Sequence, residues 1–462
     1  LSGQRRQSRY RGRNPSEVNL HHQMPIPVPP PSAVPAFDVA ACPCPDYTPA
    51  QLEASLRDLL AELGGIERFV NPGATVLLKP NLVSPRKPED AVTTHPDLVR
   101  AMARLVREAG AGRVWVGDSP AGNHAHARLW NRTGMQAGAD AGEYELVPLE
   151  PGRTRPLALG NGSTAVPVPV WYDDVDLVIS LPKLKTHGLT TLSCAMKNVF
   201  GLVVGSAKAL CHARYPSPRQ MSSFLVDVYA GLCPGLSVVD AVVALEGEGP
   251  TNGRPIHAGL LLAGTDGVAL DRVCARFLRL RPERIPMLQR AAELGLGPVH
   301  DDRIRVLGPG ADLIGTVELR NSLARFFTWI PDSVFRAATR LVAWRPRIDQ
   351  GDCVRCGVCA DLCSQNAIVW HEDRGEFRVD PEACILCLCC AESCPYEAIR
   401  VSCPLAWPRD LRDRLLGRGR PKTPKGDDQA RNAETDQRSD GDTTTPAPDR
   451  EPPSKPDGYH DQ

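Results

Sequence analysis

The chain has 462 residues, of which 42% are hydrophobic and 23% charged, and its 54 basic and 54 acidic residues give a formal net charge of zero. A chain of this length has room for about three domains and a large core. The balanced charge gives no general attraction to nucleic acid, and no apolar run reaches transmembrane length.

Residues 1–36 are rich in Arg, Gln and Pro without periodicity, which reads as a disordered leader or an over-extended gene start. Arg5-Arg6 resembles a twin-arginine signal, but the six prolines between Met24 and Pro35 leave no apolar segment behind it. Phe37 to Cys42 reads as a first strand. Thr48-Pro49-Ala50-Gln51 reads as a capping box opening a helix with Leu52, Leu56, Leu59, Leu60 and Leu63 on one face, stopped at Gly64-Gly65. Thr75 to Leu78 is a short apolar strand ending in Lys79-Pro80-Asn81. Thr94 is placed to cap a helix through Leu98, Met102, Leu105 and Val106 to Gly110, and Val114 to Val116 leads into Gly117-Asp118-Ser119-Pro120.

Val175 to Leu181 is the next buried strand, followed by Pro182-Lys183-Leu184-Lys185-Thr186-His187. Leu236 to Val239 leads into Asp240, Gly259 to Ala263 into Asp266, which caps a helix from Val268 to Leu280, and Arg303 to Leu307 is a last strand. Strands alternating with helices predict an α/β domain over 37–310, with a mixed or mostly parallel sheet and flanking helices. Residues 311–346 read as a linking helical segment, 347–402 as a small C-terminal α+β ferredoxin-like domain, and 403–462 as a disordered polar tail.

The chain has 45 arginines and only 9 lysines, yet Lys183, Lys185, Lys197 and Lys208 crowd into 26 residues. Lysine is a compact charge on a slim stem whose pKa moves readily on burial. Polar residues recur where apolar strands stop: Lys79 and Asn81, Asp118, the Lys183–His187 group, and Asp240. Ligands in open α/β sheets gather at such strand ends. Lys197-Asn198 adds a cation and an amide beside Gly201, and Gly247-Glu248-Gly249-Pro250 is expected to let the backbone approach a ligand closely. The expected site has Lys183, Lys185, His187, His95 and Asp118 as candidate catalytic groups. Lys79, Asn81, Lys197, Asn198 and Asp240 are its candidate binding groups, and the ligand is an anionic small molecule. His187 or His95 is suited to moving protons, since imidazole titrates near neutrality. No G-x-G-x-x-G after a strand and no G-x4-G-K-[ST] is present, so nucleotide binding is not expected.

Near the C-terminus, Cys353, Cys356, Cys359 and Cys363 repeat as Cys384, Cys387, Cys390 and Cys394. Each set is C-x2-C-x2-C-x3-C, the bacterial-type run that holds 4Fe-4S clusters through thiolates. The fourth cysteine of such a run ligates the other cluster in two-cluster ferredoxins. The expectation is two 4Fe-4S clusters, one on Cys353, Cys356, Cys359 and Cys394, the other on Cys384, Cys387, Cys390 and Cys363. Ser364 stands where the first run would carry proline. A zinc ribbon lacks the third and fourth cysteines of each run. Half of the sixteen cysteines being cluster ligands suits a reducing cytoplasm.

The segments VLLKPNLV, TTHPDLVRAM, GDSPAG, LPKLKTH, MKNVFG, VVDAVVALEGEGP and DGVALD, in that order, resemble a family of uncharacterised prokaryotic iron–sulfur proteins. These carry an α/β domain of unknown function fused to a C-terminal two-cluster ferredoxin module. The resemblance implies Lys79, Asn81, His95, Asp118, Lys183, Lys185, His187, Lys197, Asn198 and Asp240 as shared polar positions. A fainter likeness runs to the lactate racemase group, where a similar TH-P helix and a K-x-H-like segment serve a nickel-pincer cofactor. The chain therefore reads as an iron–sulfur redox protein that exchanges electrons with a partner protein or small donor or acceptor. Two forms are consistent with it: an oxidoreductase or oxidoreductase component, and a non-catalytic carrier whose α/β domain docks a partner or senses a ligand.

Overall fold

Short aliphatic runs bounded by glycine, proline and charged residues set the strands of the α/β domain. In the computed structural model, which describes residues 37–120, 126–160, 165–322, 345–394, 396 and 398–402, these are β1 (Phe37–Pro43), β2 (Thr75–Pro80), β3 (Arg113–Val116), β4 (Glu145–Leu146), β5 (Thr154–Leu157), β6 (Val166–Pro169), β7 (Leu177–Leu181), β8 (Lys183–His187), β9 (Thr191–Ser193), β10 (Leu236–Glu248), β11 (Asn252–Gly264) and β12 (Ile304–Leu307). The expected leader, residues 323–344 of the linking segment and the tail from 403 lie outside the described residues.

Ten strands form one sheet in the order β12-β1-β11-β10-β7-β2-β3-β4, with β8 beside β10 and β9 beside β8. Neighbours from β10 to β4 run parallel. β11 runs antiparallel to β10 and β1. This is the mostly parallel mixed sheet expected from alternating strands and helices. The helices are α1 (Pro49–Ala61), α2 (Pro96–Glu108), α3 (His126–Thr133), α4 (Met135–Asp140), α5 (Ala195–Asn198), α6 (Ala207–Arg214), α7 (Pro218–Leu232), α8 (Gly267–Ala275) and α9 (Pro286–Glu293).

The two-residue period of β2 sorts the core. Val76 and Leu78 join the leucines of α1 and α2 in one apolar cluster, and Leu77 joins α7 and α8 in another. Each face is thus covered by helices, and the strand is apolar on both sides, as a parallel sheet requires. A leucine so enclosed contributes about 1.5–3 kcal/mol by leaving water.

Three local expectations are corrected. Thr48 precedes α1 but makes no side-chain cap; its N–H and hydroxyl both go to Asp46. The cap of α2 is His95, whose Nδ1 accepts from Asp97 N, because the Thr94 hydroxyl is committed to the Leu181 carbonyl. Asp240 lies inside β10, which runs on to Glu248 and forms a long hairpin with β11. Residues 311–322 extend the α/β domain: Leu319 N donates to Phe277 O, and Ser322 Oγ to Glu248.

The C-terminal module is small and duplicated. It holds β13 (Arg345–Ile348), α10 (Val358–Leu362) and β14 (Ile368–His371), then β15 (Glu376–Val379), α11 (Cys389–Ser393) and β16 (Ile399–Ser402). β13 pairs with β16 and β14 with β15, both antiparallel. The two halves repeat their hydrogen bonds: Asp349 N donates to Ala398 O and Asp380 N to Ala367 O, both at 2.7 Å. Ala209 of α6 is buried in the same apolar cluster as Cys359, Cys389, Cys390 and Cys394. Asn252 of β11 donates to Ala391 O of α11 at 3.5 Å.

Candidate functional site

The carboxyl ends of β2, β3 and β7 meet β8 and α5, and ten polar residues singled out in the sequence lie there. Lys79, at the end of β2, is fully buried. Its ammonium donates to Asp118 Oδ1 at 2.7 Å, to Pro80 O at 2.8 Å and to Asn198 Oδ1 at 3.4 Å. Asp118 also accepts from Leu82 N at 2.6 Å. Asn198 is held in turn by donating to Lys79 O and Ser180 Oγ. Gly201 has to be glycine here, since a Cβ would overlap the Asp118 carboxylate and the Lys79 ammonium.

A second ion pair stands beside the first. Lys183 donates to Asp240 Oδ2 at 3.0 Å and to the Tyr47 hydroxyl at 2.8 Å, and Tyr47 donates to Asp240 Oδ1 at 2.7 Å. Asp240 also accepts from His95 N, and the His95 ring stacks on Tyr47 with centroids 3.8 Å apart. Burial lowers the pKa of Lys79 and Lys183, and the paired aspartates oppose that shift. Pairing of this kind is what allows an ammonium to lie in the interior.

Lys185 differs. It is fully buried, and its ammonium meets two neutral acceptors, Asn81 Oδ1 at 2.5 Å and Val92 O at 2.8 Å. Burial first, then the charges of Lys197 and Lys183, hold its pKa well below the ordinary lysine value. Lys208 of α6 is similar: its ammonium donates to the carbonyls of Ser119 and Pro120, and burial lowers its pKa to about 7.

Lys185 and His187 share one face of β8, as an extended strand requires. His187 Nδ1 accepts from Leu189 N and Thr190 N, while its Nε2 is buried with no hydrogen-bond partner. Burial, then Lys197, His212 and Lys185, push its pKa well below 6.5. The imidazole is neutral when folded and becomes protonated in the unfolded chain below that value, so its contribution to stability falls as pH drops under about 6.5. The thermal midpoint of His187→Gln is expected to fall less steeply than that of the unsubstituted chain between about pH 6.5 and 5. Parallel curves would place the acid sensitivity elsewhere.

The expected residues are together: Lys79, Asp118, Lys183, Lys185, His187, Asn198 and Asp240 are buried, and Asn81, His95 and Lys197 are half-buried at the edge of the same network. Sequence reasoning missed Tyr47, Ser180 and Asp271. Asp271 of α8 accepts from Ala195 N and Met196 N and so fixes the start of α5, which carries Lys197 and Asn198. Tyr47 lies in a loop and gave no signal. Gly249, expected to approach a ligand, instead approaches the Thr186 carbonyl.

In the C-terminal module, Cys353, Cys356, Cys359 and Cys394 line one cavity whose other walls include Ile348, Phe377 and Ile399. Burial raises the Cys359 pKa to about 12, helped by Cys394, Cys356 and Cys353. Cys390 is raised likewise by burial and then by Cys387, Cys359, Cys384 and Cys363. The loops carry the same left-handed residues in each half, Arg355 and Gly357 in one, Leu386 and Leu388 in the other. Cys363 Sγ accepts from Ala367 N at 3.2 Å. Crowded thiols, apolar walls and an N–H aimed at sulfur fit a thiolate-bound cluster. Among the described residues no three His, Cys, Asp or Glu side chains converge on a single ion.

Residues 76–276 match the model of a domain of unknown function, DUF362. Residues 352–398 match the 4Fe-4S dicluster domain, which makes the C-terminal part an iron–sulfur electron-transfer module. A thylakoid-associated protein of Synechocystis sp. is 39% identical over 254 residues, covering 54% of this chain and 78% of that one. Among solved structures, the lactate racemase apoprotein of Thermoanaerobacterium thermosaccharolyticum aligns at 8% identity and a TM-score of 0.35, over 54% of this chain and 58% of that one. A protein of Thermotoga maritima aligns at 12% identity and a TM-score of 0.31, over 49% and 57%. The chain spans less than two thirds of either structure, and at these scores neither bears on fold or chemistry. No helix among the described residues is long and apolar enough to cross a membrane.

Proposed function

The chain belongs to the DUF362 family, in the form fused to a 4Fe-4S dicluster domain, and we propose that its module holds two 4Fe-4S clusters that exchange electrons with an anion-binding site in the α/β domain. Cys353, Cys356, Cys359 and Cys394 hold one cluster, and Cys384, Cys387, Cys390 and Cys363 the other. Each cluster, when bound, takes up and releases a single electron. A redox partner protein or small donor supplies or removes those electrons.

The observation that carries the anion site is Lys185. Two aspartates already neutralise Lys79 and Lys183, whereas Lys185 is buried against neutral acceptors only. An anion beside it would supply the missing charge and restore its protonated form. The orphaned Nε2 of His187 is a further donor for that anion. Lys197 and Asn198 adjoin it on α5. Burial lowers the pKa of His187 and His95, and the anion's charge would raise it toward the range in which they can move protons.

Anaerobically prepared protein should contain about eight iron atoms per chain. Lys185→Met should keep that iron and lose the anion that native mass spectrometry finds on the unsubstituted chain. Two to four iron atoms, stoichiometric zinc, or an unchanged bound anion would contradict the reading.

The second reading, a non-catalytic carrier whose α/β domain docks a partner or senses a ligand, is favoured by the complete burial of Lys79 and Lys185. Binding without turnover under reducing conditions distinguishes it. For location we favour the cytoplasm, on the cysteine usage. Cell fractionation tests this, and the thylakoid-associated relative makes attachment to a membrane surface the contrary outcome to look for.

A further inference from the structure

We propose that α6 is the bridge between the iron–sulfur module and the buried site, and that the cluster on Cys384, Cys387, Cys390 and Cys363 is the inner one. The cluster on Cys353, Cys356, Cys359 and Cys394 is then the outer terminal. This assignment of direction rests on the two-cluster reading.

The helix reaches both places with neighbouring residues. Ala209 is buried in the module's apolar cluster with Cys359, Cys389, Cys390 and Cys394, which ties α6 to the module; the choice between the two clusters comes from Lys208 and α11. Lys208 donates to the carbonyls of Ser119 and Pro120, directly after Asp118. Its charged and titratable neighbours are Asp118, Lys79 and Lys197 of the buried site together with Cys389 of the module. One turn on, His212 has Lys197 and Lys208 as its charged neighbours and stands within the field of His187.

From the module, α11 makes the matching approach. Its Ala391 carbonyl accepts from Asn252 of β11. Cys389 lies in the second cysteine loop, with its thiol directed to the Cys387 carbonyl, and so belongs with the second set of ligands. The first loop is the more open at its thiols: Cys356 is exposed and its cavity is edged by the exposed Val354 and Tyr396, whereas Cys384 and Cys387 are half-buried and Cys390 is buried. Electron exchange weakens steeply with distance. A donor in solution therefore meets the first cluster, and the buried site meets the second.

The test is a redox titration of the anaerobic full chain, followed by electron paramagnetic resonance. Reduction adds negative charge to a cluster, and an ammonium nearby favours it. Lys208→Met should make one cluster about tenfold harder to reduce, equivalent to about 59 mV for one electron. The same shift should persist when Lys208→Met is combined with Cys353→Ser, which removes the outer cluster. It should vanish when combined with Cys384→Ser. Lys208→Gln, which keeps a hydrogen-bond donor without the charge, should shift the same cluster, so that loss of packing is not what is read. A shift in the cluster surviving Cys384→Ser, equal shifts in both, or no shift in either overturns the proposal. An unsubstituted chain with about four iron atoms would instead remove the two-cluster reading beneath it.

Discussion

Cys394→Ser is expected to remove the cluster whose other three ligands lie some forty residues earlier, lowering iron from about eight to about four atoms per chain. The reason lies in the cavity that Cys394 shares with Cys353, Cys356 and Cys359. Burial first, and then the neighbouring thiols of Cys394, Cys356 and Cys353, raise the Cys359 pKa, a cost that a bound cluster's iron would offset. The resonance signal lost in Cys394→Ser should be the one lost in Cys353→Ser. Cys363→Ser should share its missing signal with Cys384→Ser. Loss of the same signal in Cys394→Ser and Cys384→Ser would mean that each run holds its own cluster, and would end the crossed assignment.

Asp118→Ala should be the most destabilising change in the α/β domain, at about 3–5 kcal/mol by chemical denaturation. The substitution removes the one carboxylate bonded to Lys79 among the described residues, where Lys79 is fully buried, and also strands the Leu82 N–H. A buried charge left alone costs more than the pair contributed. Lys79→Met with Asp118→Leu should therefore recover much of the loss, because it removes both charges together. Iron content should be unaffected in either protein. A loss under about 1 kcal/mol for Asp118→Ala would show that water or another group takes the place of the carboxylate.

The site was legible where chemistry interrupts a hydrophobic run. Lys79 after Leu78, Asp118 after Val116 and Lys183 after Leu181 stand out because a parallel strand is apolar on both faces up to its end. Rarity marked the lysines, Lys208 among them. Tyr47 was invisible because its partners are distant in sequence; it meets Asp240 across nearly two hundred residues. The first half of β11 was missed for a different reason. Asn252 to His257 has no apolar alternation, and backbone pairing to β10 alone makes it a strand. The cap of α2 was misread because the Thr94 hydroxyl has a stronger claim, the Leu181 carbonyl. The iron–sulfur module was legible because its cysteine spacing is local in the chain, and residues 352–398 match the 4Fe-4S dicluster domain.

The strand pairing also fixes an order of events during synthesis. The main sheet places β1 between β11 and β12, so its edge is complete once the ribosome has passed Leu307. The module cannot close at that point, because β13 pairs with β16, at the far end of the duplicated unit. Domains generally fold as units from the N-terminal side as they emerge. The α/β domain thus has time to fold before the last cysteine exists, and iron meets a chain whose buried lysines are already in place. A chain stopped just before Ile399 should accordingly yield a folded α/β domain carrying an open, iron-poor C-terminal arm.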